Sequence, residues 1–287
     1  MTVREAISHG AGRLSASEQL RSGAQRDASL LLMHTLGFSR AQMFARPERA
    51  LTPDQQMQYE QLIARRLTHE PIQYITGQQE FYGLSLRVTP AVLIPRPETE
   101  HLVEAVLAEV DHTAPLKLVD IGTGSGAIAI VLAHHLPHTR IAAVDISPAA
   151  LELAAENAAH HRVAGRIRFV ESDLLEALAH EGPFDAIISN PPYVAFAEGK
   201  DLHPQVRDFE PATALFATGN VLDIYRRLIP QAHALLKPNG LLGLQIGLGQ
   251  QNALKELLDG WTNIRFIDDL QQIPRTIILQ REGSESS

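Results

Sequence analysis

From Leu116 onward, short apolar runs alternate with longer stretches in which apolar residues recur every three or four positions. A short apolar run bounded by turn residues reads as a buried strand, and the longer pattern reads as a helix packed on it. This predicts strands at 116–121, 140–145, 166–170, 184–189 and 241–246, with a closing pair near 263–268 and 275–280. Helices are predicted near 126–134, 148–160, 221–236 and 250–258. Alternating strand and helix build a mostly parallel sheet covered on both faces, so the fold class is α/β.

Upstream the pattern is helical throughout. Arg26–Leu36 carries Ala28, Leu31, Leu32 and Thr35-Leu36 on one stripe, and Gly37 is a natural left-handed stop. Thr52-Pro53-Asp54-Gln55 starts a second helix that runs to Leu67, with Met57, Leu62, Ile63 and Leu67 as expected core contacts. Residues 1–70 are therefore expected to form a small helical bundle with a role in recognising a protein partner. Ile72–Gly77 and Leu84–Val88 alternate and predict a linker hairpin over 71–92, ahead of a catalytic domain over 93–287. Within Leu93-Ile94-Pro95-Arg96-Pro97-Glu98-Thr99-Glu100, Pro97 suits a first helical turn and the acids suit its positive end. Arg96 or Glu98 facing a ligand explains that stretch equally well. The tail Glu282–Ser287 is polar, and fraying is expected there.

Composition narrows the classes. The absence of cysteine among 287 residues excludes disulfides and thiolate metal sites. His134-His135 and His160-His161 fall near predicted helix ends, and no His-Glu-x-x-His occurs, so solvated histidines are expected and no metal site. A net charge of −8 argues against broad phosphate-backbone binding, so no direct nucleic-acid partner is expected. No apolar run is long enough to span a membrane, and no leader pattern opens the chain; a cytoplasmic protein is expected, and a monomer.

The candidate chemistry lies at predicted strand ends, where open parallel sheets place ligands. Leu116–Ile121 leads into Gly122-Thr123-Gly124-Ser125-Gly126, a loop over which a cofactor can approach the backbone. The next strand ends in Asp145, placed to accept both hydroxyls of a ribose, and the third in Ser172-Asp173-Leu174. There Asp173 is suited to accept from an adenine amino group while Leu174 packs on the ring. The same spacing, Gly122-x-Gly124-x-x-Ala127, also satisfies the dinucleotide fingerprint. The fourth strand ends in Asn190-Pro191-Pro192-Tyr193, because proline cannot extend a ladder.

The Asn190 side-chain oxygen and the Pro191 carbonyl are two acceptors, and Tyr193 adds a flat face. Together they suit a planar NH2 group, either a carboxamide or the exocyclic amine of adenine. Hydride transfer to a nicotinamide needs a proton relay beside the substrate carbon. The tetrad holds no group that titrates near neutrality, since tyrosine ionises near ~10. Methyl transfer from a sulfonium needs only a nitrogen lone pair. S-adenosylmethionine is thus the expected cofactor, with Asn190, Pro191 and Tyr193 as catalytic residues and Pro192 completing the substrate site. Asn190 is also expected to touch the cofactor. A cofactor-sensing binding protein, with the bundle as its interaction module, is the reading from a different class.

The chain resembles the peptide-chain release factor glutamine N5-methyltransferases, the HemK or PrmC family. The resemblance rests on Arg26–Leu32, Pro71–Gly77, Ile94–Glu100, Asp120–Gly126, Ser189–Tyr193 and Val206-Arg207-Asp208-Phe209-Glu210-Pro211. It implies a class I S-adenosylmethionine-dependent methyltransferase fold, Rossmann-like with seven strands, behind a helical N-terminal domain. The implied substrate is the glutamine of the Gly-Gly-Gln loop in class 1 release factors. The tetrad is shared with adenine N6 methyltransferases of nucleic acids, whereas glutamine methyltransferases acting on a ribosomal protein look different around residues 95–98. One departure stands out: Gln245 occupies a position where the family pattern leads one to expect Glu.

Overall fold

Three capping boxes start helices of the N-terminal unit: Thr2 with Glu5, Ser39 with Gln42, and Thr52 with Gln55. In each, the side-chain oxygen and the third helical residue satisfy one another's orphan backbone N–H groups. The helices are α1 (Val3–Leu14), α2 (Ala24–Leu36), α3 (Arg40–Ala45), α4 (Pro53–Leu67) and α5 (Ile72–Thr76). The computed structural model describes residues 1–217, 219–269 and 271–283. The expected fraying at 284–287 lies outside the described residues.

This first unit comprises Met1–Gln78 together with Asp201–Phe209, which contains the short helix α9 (Pro204–Arg207). Its core is Leu14, Leu31, Leu32, Tyr59 and Ile63, all fully buried. The Tyr59 hydroxyl donates to Ala28 O at 3.2 Å, so the large ring enters the core with its polar tip satisfied. Only a glycine at position 10 admits that ring: a Cβ there would lie 2.2 Å from the Tyr59 oxygen. Asp27 and Arg66 form a buried pair, with Nε to Oδ2 at 2.8 Å, and the guanidinium also reaches Glu70 O and Gln205 Oε1. Leu62 and Ile63 are buried as expected, but Met57 is 59 % exposed, because it sits off the stripe that Tyr59, Leu62, Ile63 and Arg66 define.

Ile72–Gly77 forms α5 and its stop rather than a strand. Pro71 precedes the turn and Gly77 closes it at φ 76°, a left-handed conformation that suits glycine. The hairpin lies further on, as β1 (Gln78–Phe81) and β2 (Leu84–Arg87).

The second unit runs from Gln79 to Lys200 and resumes at Glu210. Its sheet contains β3 (Lys117–Ile121), β4 (Arg140–Asp145), β5 (Ile167–Glu171), β6 (Phe184–Ser189), β7 (Leu236–Gln245), β8 (Trp261–Asp268) and β9 (Pro274–Arg281). The order is β5-β4-β3-β6-β7-β9-β8, with β9 antiparallel to both of its neighbours. The helices are α6 (Pro97–Glu109), α7 (Ala127–His135), α8 (Pro148–His160), α10 (Ala212–Leu215), α11 (Asp223–Leu235) and α12 (Gln251–Lys255). The seven-stranded, mostly parallel α/β architecture is as expected. Predicted bounds hold closely for β3 to β6, whereas β7 begins at Leu236, because Leu236 pairs with Phe184 before a register shift. From Ala127 to Ala133 every residue of α7 is buried, the mark of a helix covered all round. The paired histidines fall at the ends of α7 and α8.

Strand order reverses at β3, which is flanked by β4 on one side and β6 on the other. Open α/β sheets leave a crevice at such a switch point, beyond the carboxyl ends of the strands. Ile121 and Ser189 are register partners there, and Ser189 Oγ donates to Ile121 O at 2.9 Å. The glycine loop and the proline tetrad therefore leave the sheet side by side.

Candidate active site

A cavity of about 370 Å³ opens at this switch point. Gly122, Thr123, Gly124 and Ser125 line one side of it. Asp145, Asp173 and Leu174 line the next strand ends, and Asn190, Pro191 and Pro192 close it from β6. The structure thus gathers most of the residues expected from sequence around one space. Two are placed elsewhere, Gly126 and Tyr193.

Gly126 caps α7 at φ 83° and faces protein: a Cβ there would meet Ile130 Cδ1 at 2.9 Å and Ala154 Cβ at 3.2 Å. It packs α7 closely on α8 behind the loop and does not line the cavity. Gly124, also left-handed at φ 54°, turns its N–H to Asp145 Oδ2 at 2.9 Å. Asp145 Oδ1 accepts from Ser147 N at 2.9 Å, so each carboxylate oxygen holds a backbone donor while Asp145 lines the cavity. Burial pushes this carboxyl up, and backbone bonds from Ser147, Gly124 and Ile146 oppose the shift.

Behind the loop, Asp120 is fully buried, with Oδ2 accepting from Thr123 Oγ1 (2.7 Å) and Ala129 N (3.1 Å). Its Oδ1 has no partner. Burial raises the carboxyl to about 7, outweighing those two bonds, and nearby Asp145 raises it further. An acid whose folded pKa is raised stabilises the fold fully below its unfolded value and loses that contribution as pH climbs through the folded value. The melting temperature of the ligand-free protein should therefore fall as pH rises from about 4 to about 7. Asp120→Asn should flatten that slope in a pH series of thermal melts, leaving the smaller drops due to Asp145 and Glu210. An unchanged slope would mean that Asp120 does not carry the linkage.

Asp173 Oδ2 is held by Arg227 at 2.6 Å, which leaves Oδ1 for another donor. Leu174, at φ 51°, is buried in the core cluster that holds Ile121 and Val144. Arg96 also lines the cavity and pairs with the buried Glu210, whose second oxygen accepts from Ile94 N at 3.1 Å. Burial raises the Glu210 carboxyl, and Arg96 opposes the shift. Of the two readings of that stretch, Arg96 does face the cavity, whereas Glu98 does not line it. Glu100 is used locally, accepting from Tyr82 N at 2.9 Å.

Tyr193, expected to offer a flat face, is not among the lining residues. Its ring packs against the core cluster that contains Tyr225 and Leu244, and its hydroxyl accepts from Gln245 Nε2 at 3.2 Å. The Tyr193 carbonyl accepts from Gln250 Nε2 at 3.1 Å. Just beyond, Val194 N donates to Leu215 O and Ala217 N donates to Val194 O, which pins the segment after the tetrad beside the cavity-lining Phe216. Periodicity gave no sign of two further contributors. Thr99, inside a helix-start motif, lines the cavity and donates to Gln245 Oε1. Asn157 ties the loop to the hairpin, donating to both Ser125 O and Arg87 O at 2.9 Å.

Comparison with known proteins bears on the family and the fold. Residues 5–77 match the family model of the PrmC N-terminal domain, and residues 99–208 match that of the methyltransferase small domain. A release factor glutamine methyltransferase from Koribacter versatilis (strain Ellin345) is 45% identical over 284 residues, covering 99% of this chain and 100% of that protein. One from Moorella thermoacetica is 44% identical over 260 residues, covering 90% of this chain and 89% of that protein. Among solved structures, a methyltransferase from Pyrococcus furiosus aligns with a TM-score of 0.52 at 16% identity, over 70% of this chain and 90% of that one, and shares the fold. With such identity along nearly its whole length, a two-part match to helical and methyltransferase domains, and the glycine loop and proline tetrad around one cavity, the chain belongs to the release factor glutamine methyltransferase family.

Proposed function

We propose that the protein methylates the side-chain amide nitrogen, N5, of the glutamine in the Gly-Gly-Gln loop of class 1 peptide-chain release factors. It does so as a cytoplasmic monomer, without holding nucleic acid or membrane directly. The observation that carries this reading is the shared cavity: the acceptor edge of Asn190 and Pro191 opens onto the space that the glycine loop lines. Relatives named release factor glutamine methyltransferase support the choice of substrate.

The residues present fit S-adenosylmethionine. The Asp145 carboxylate suits ribose hydroxyls, Asp173 Oδ1 is open to an adenine amine, and Leu174 offers an apolar wall. Gly122–Ser125 let a ligand approach the backbone, and Asn190 lines the same cavity. Bound there, the cofactor supplies a methyl group carried on a sulfonium.

The chain's own groups perform the rest. Asn190 Oδ1 and the Pro191 carbonyl accept the two N–H bonds of the substrate amide and fix its plane, which removes rotational freedom before reaction. Pro192 keeps that rim rigid through its fixed φ. As positive charge grows on the attacking nitrogen, both acceptor dipoles are already oriented to stabilise it. The surplus proton leaves from nitrogen to water, so no protein base is required. Tyr193 contributes through the wall behind Asn190.

Labelled methyl from S-adenosylmethionine should appear in a release factor and be absent when its Gly-Gly-Gln is changed to Gly-Gly-Ala. Label in the Ala control, or only in added DNA or RNA, would overturn the assignment. The adenine reading of the tetrad predicts the second of those results.

A further inference from the structure

A hydrogen-bonded chain runs behind the acceptor edge. Asn190 Nδ2 donates to Thr99 Oγ1 (3.2 Å), Thr99 Oγ1 donates to Gln245 Oε1 (2.7 Å), and Gln245 Nε2 donates to Tyr193 Oη (3.2 Å). Thr99 is 4% exposed and Gln245 1%, so water does not compete for these bonds. The element carrying Gln245 is held in place as well: the Tyr225 hydroxyl donates to its backbone carbonyl at 3.0 Å. None of these bonds is needed to build a helix or a strand.

The direction of the chain has a chemical consequence. A threonine hydroxyl has one proton, and once Gln245 takes it the oxygen can only receive. Asn190 must then turn its NH2 toward Thr99. Its Oδ1, which has no hydrogen-bond partner among the described residues, is left to the cavity that Asn190 lines. Were the Gln245 amide turned over, every bond in the chain would invert. Asn190 would present NH2 to the cavity, and that donor would face the NH2 donors of the substrate amide.

The geometry points to Thr99 and Gln245 as positioning residues that set the polarity of the acceptor site, holding Asn190 with its oxygen toward the substrate nitrogen. This inference rests on the role proposed above for Asn190. It also gives Gln245 a function in the absence of charge. An amide at 245 serves both neighbours, accepting from Thr99 and donating to Tyr193. A carboxylate would accept from both and leave the Thr99–Asn190 link unchanged.

Paired variants test the relay. Thr99→Val removes the hydroxyl and Thr99→Ser keeps it; Gln245→Met removes both partners and Gln245→Glu keeps the acceptor for Thr99. Turnover on a release factor at saturating cofactor should fall about tenfold or more in Thr99→Val and Gln245→Met, the loss of one well-placed hydrogen bond. Thr99→Ser and Gln245→Glu should recover most of it, and the cofactor dissociation constant should stay near wild type in all four. The second readout needs no substrate: NMR of the Asn190 side-chain amide should show one proton protected from exchange in the wild type and unprotected in Thr99→Val. Wild-type turnover in both Thr99→Val and Gln245→Met would overturn the relay, as would Asn190 protection unchanged in Thr99→Val. So would equal losses in the conservative and non-conservative member of each pair. If the wild type labels no release factor, the proposed substrate fails, while the exchange measurement still decides the relay.

Discussion

Asn190→Ala should lower turnover by about 10²–10³-fold, equivalent to roughly 2.7–4 kcal/mol in the barrier, the range seen when one preorganised hydrogen-bonding group is removed from an active site. The loss should fall on kcat. Cofactor affinity should change far less, because Asp145 and the loop remain in place. Labelled-methyl turnover at saturating cofactor, with calorimetric titration of the cofactor, separates the two effects. Asn190→Asp is the finer probe. It keeps an acceptor toward the cavity, but it cannot donate to Thr99 as Asn190 does at 3.2 Å, and it adds a charge. Wild-type turnover in both variants would remove the tetrad from the mechanism.

The largest stability effect is expected in the helical N-terminal unit. Asp27→Ala should destabilise the helical unit by about 3–5 kcal/mol, since it strands a buried guanidinium. Arg66 would keep Glu70 O and Gln205 Oε1 but lose its charged partner at 2.8 Å. Replacing both partners with apolar residues of similar volume, Asp27→Leu with Arg66→Met, should recover much of the loss, because no lone charge then remains buried. Denaturant titration of the single and double variants measures this. A single variant within 1 kcal/mol of wild type would contradict the reading, which rests on the cost of an unpaired buried charge.

Several elements were legible because their signal is local. The strand ending at Ser189 is apolar at Phe184, Ala186, Ile187 and Ile188 and two prolines stop it, so nothing elsewhere in the chain could lengthen it. Thr52 and Gln55 announce the start of α4 by bonds spanning three residues. Ile72–Gly77 was misread for an equally local reason. Its apolar residues Ile72, Tyr74 and Ile75 satisfy alternation and a single helical turn equally well, and six residues are too few to separate the two periods. Met57 sits near the edge of its helical stripe, and only the packing partners of α4 decide on which side it falls.

The site shows the same division. That a glycine loop, two acids and an acceptor tetrad terminate successive strands can be read from neighbouring residues, since motif, periodicity and strand end are local properties. Which way those groups face is settled by packing across the fold. It turned Tyr193 into the core, set Gly126 against Ala154, and brought Thr99 to Gln245 across 146 positions and to Asn190 across 91. Hydrogen-bond direction depends on what lies opposite each group. The sheet sets those partners when it places β6 beside β7 and so brings the tetrad against the end of β7, and no local pattern along the chain encodes that choice.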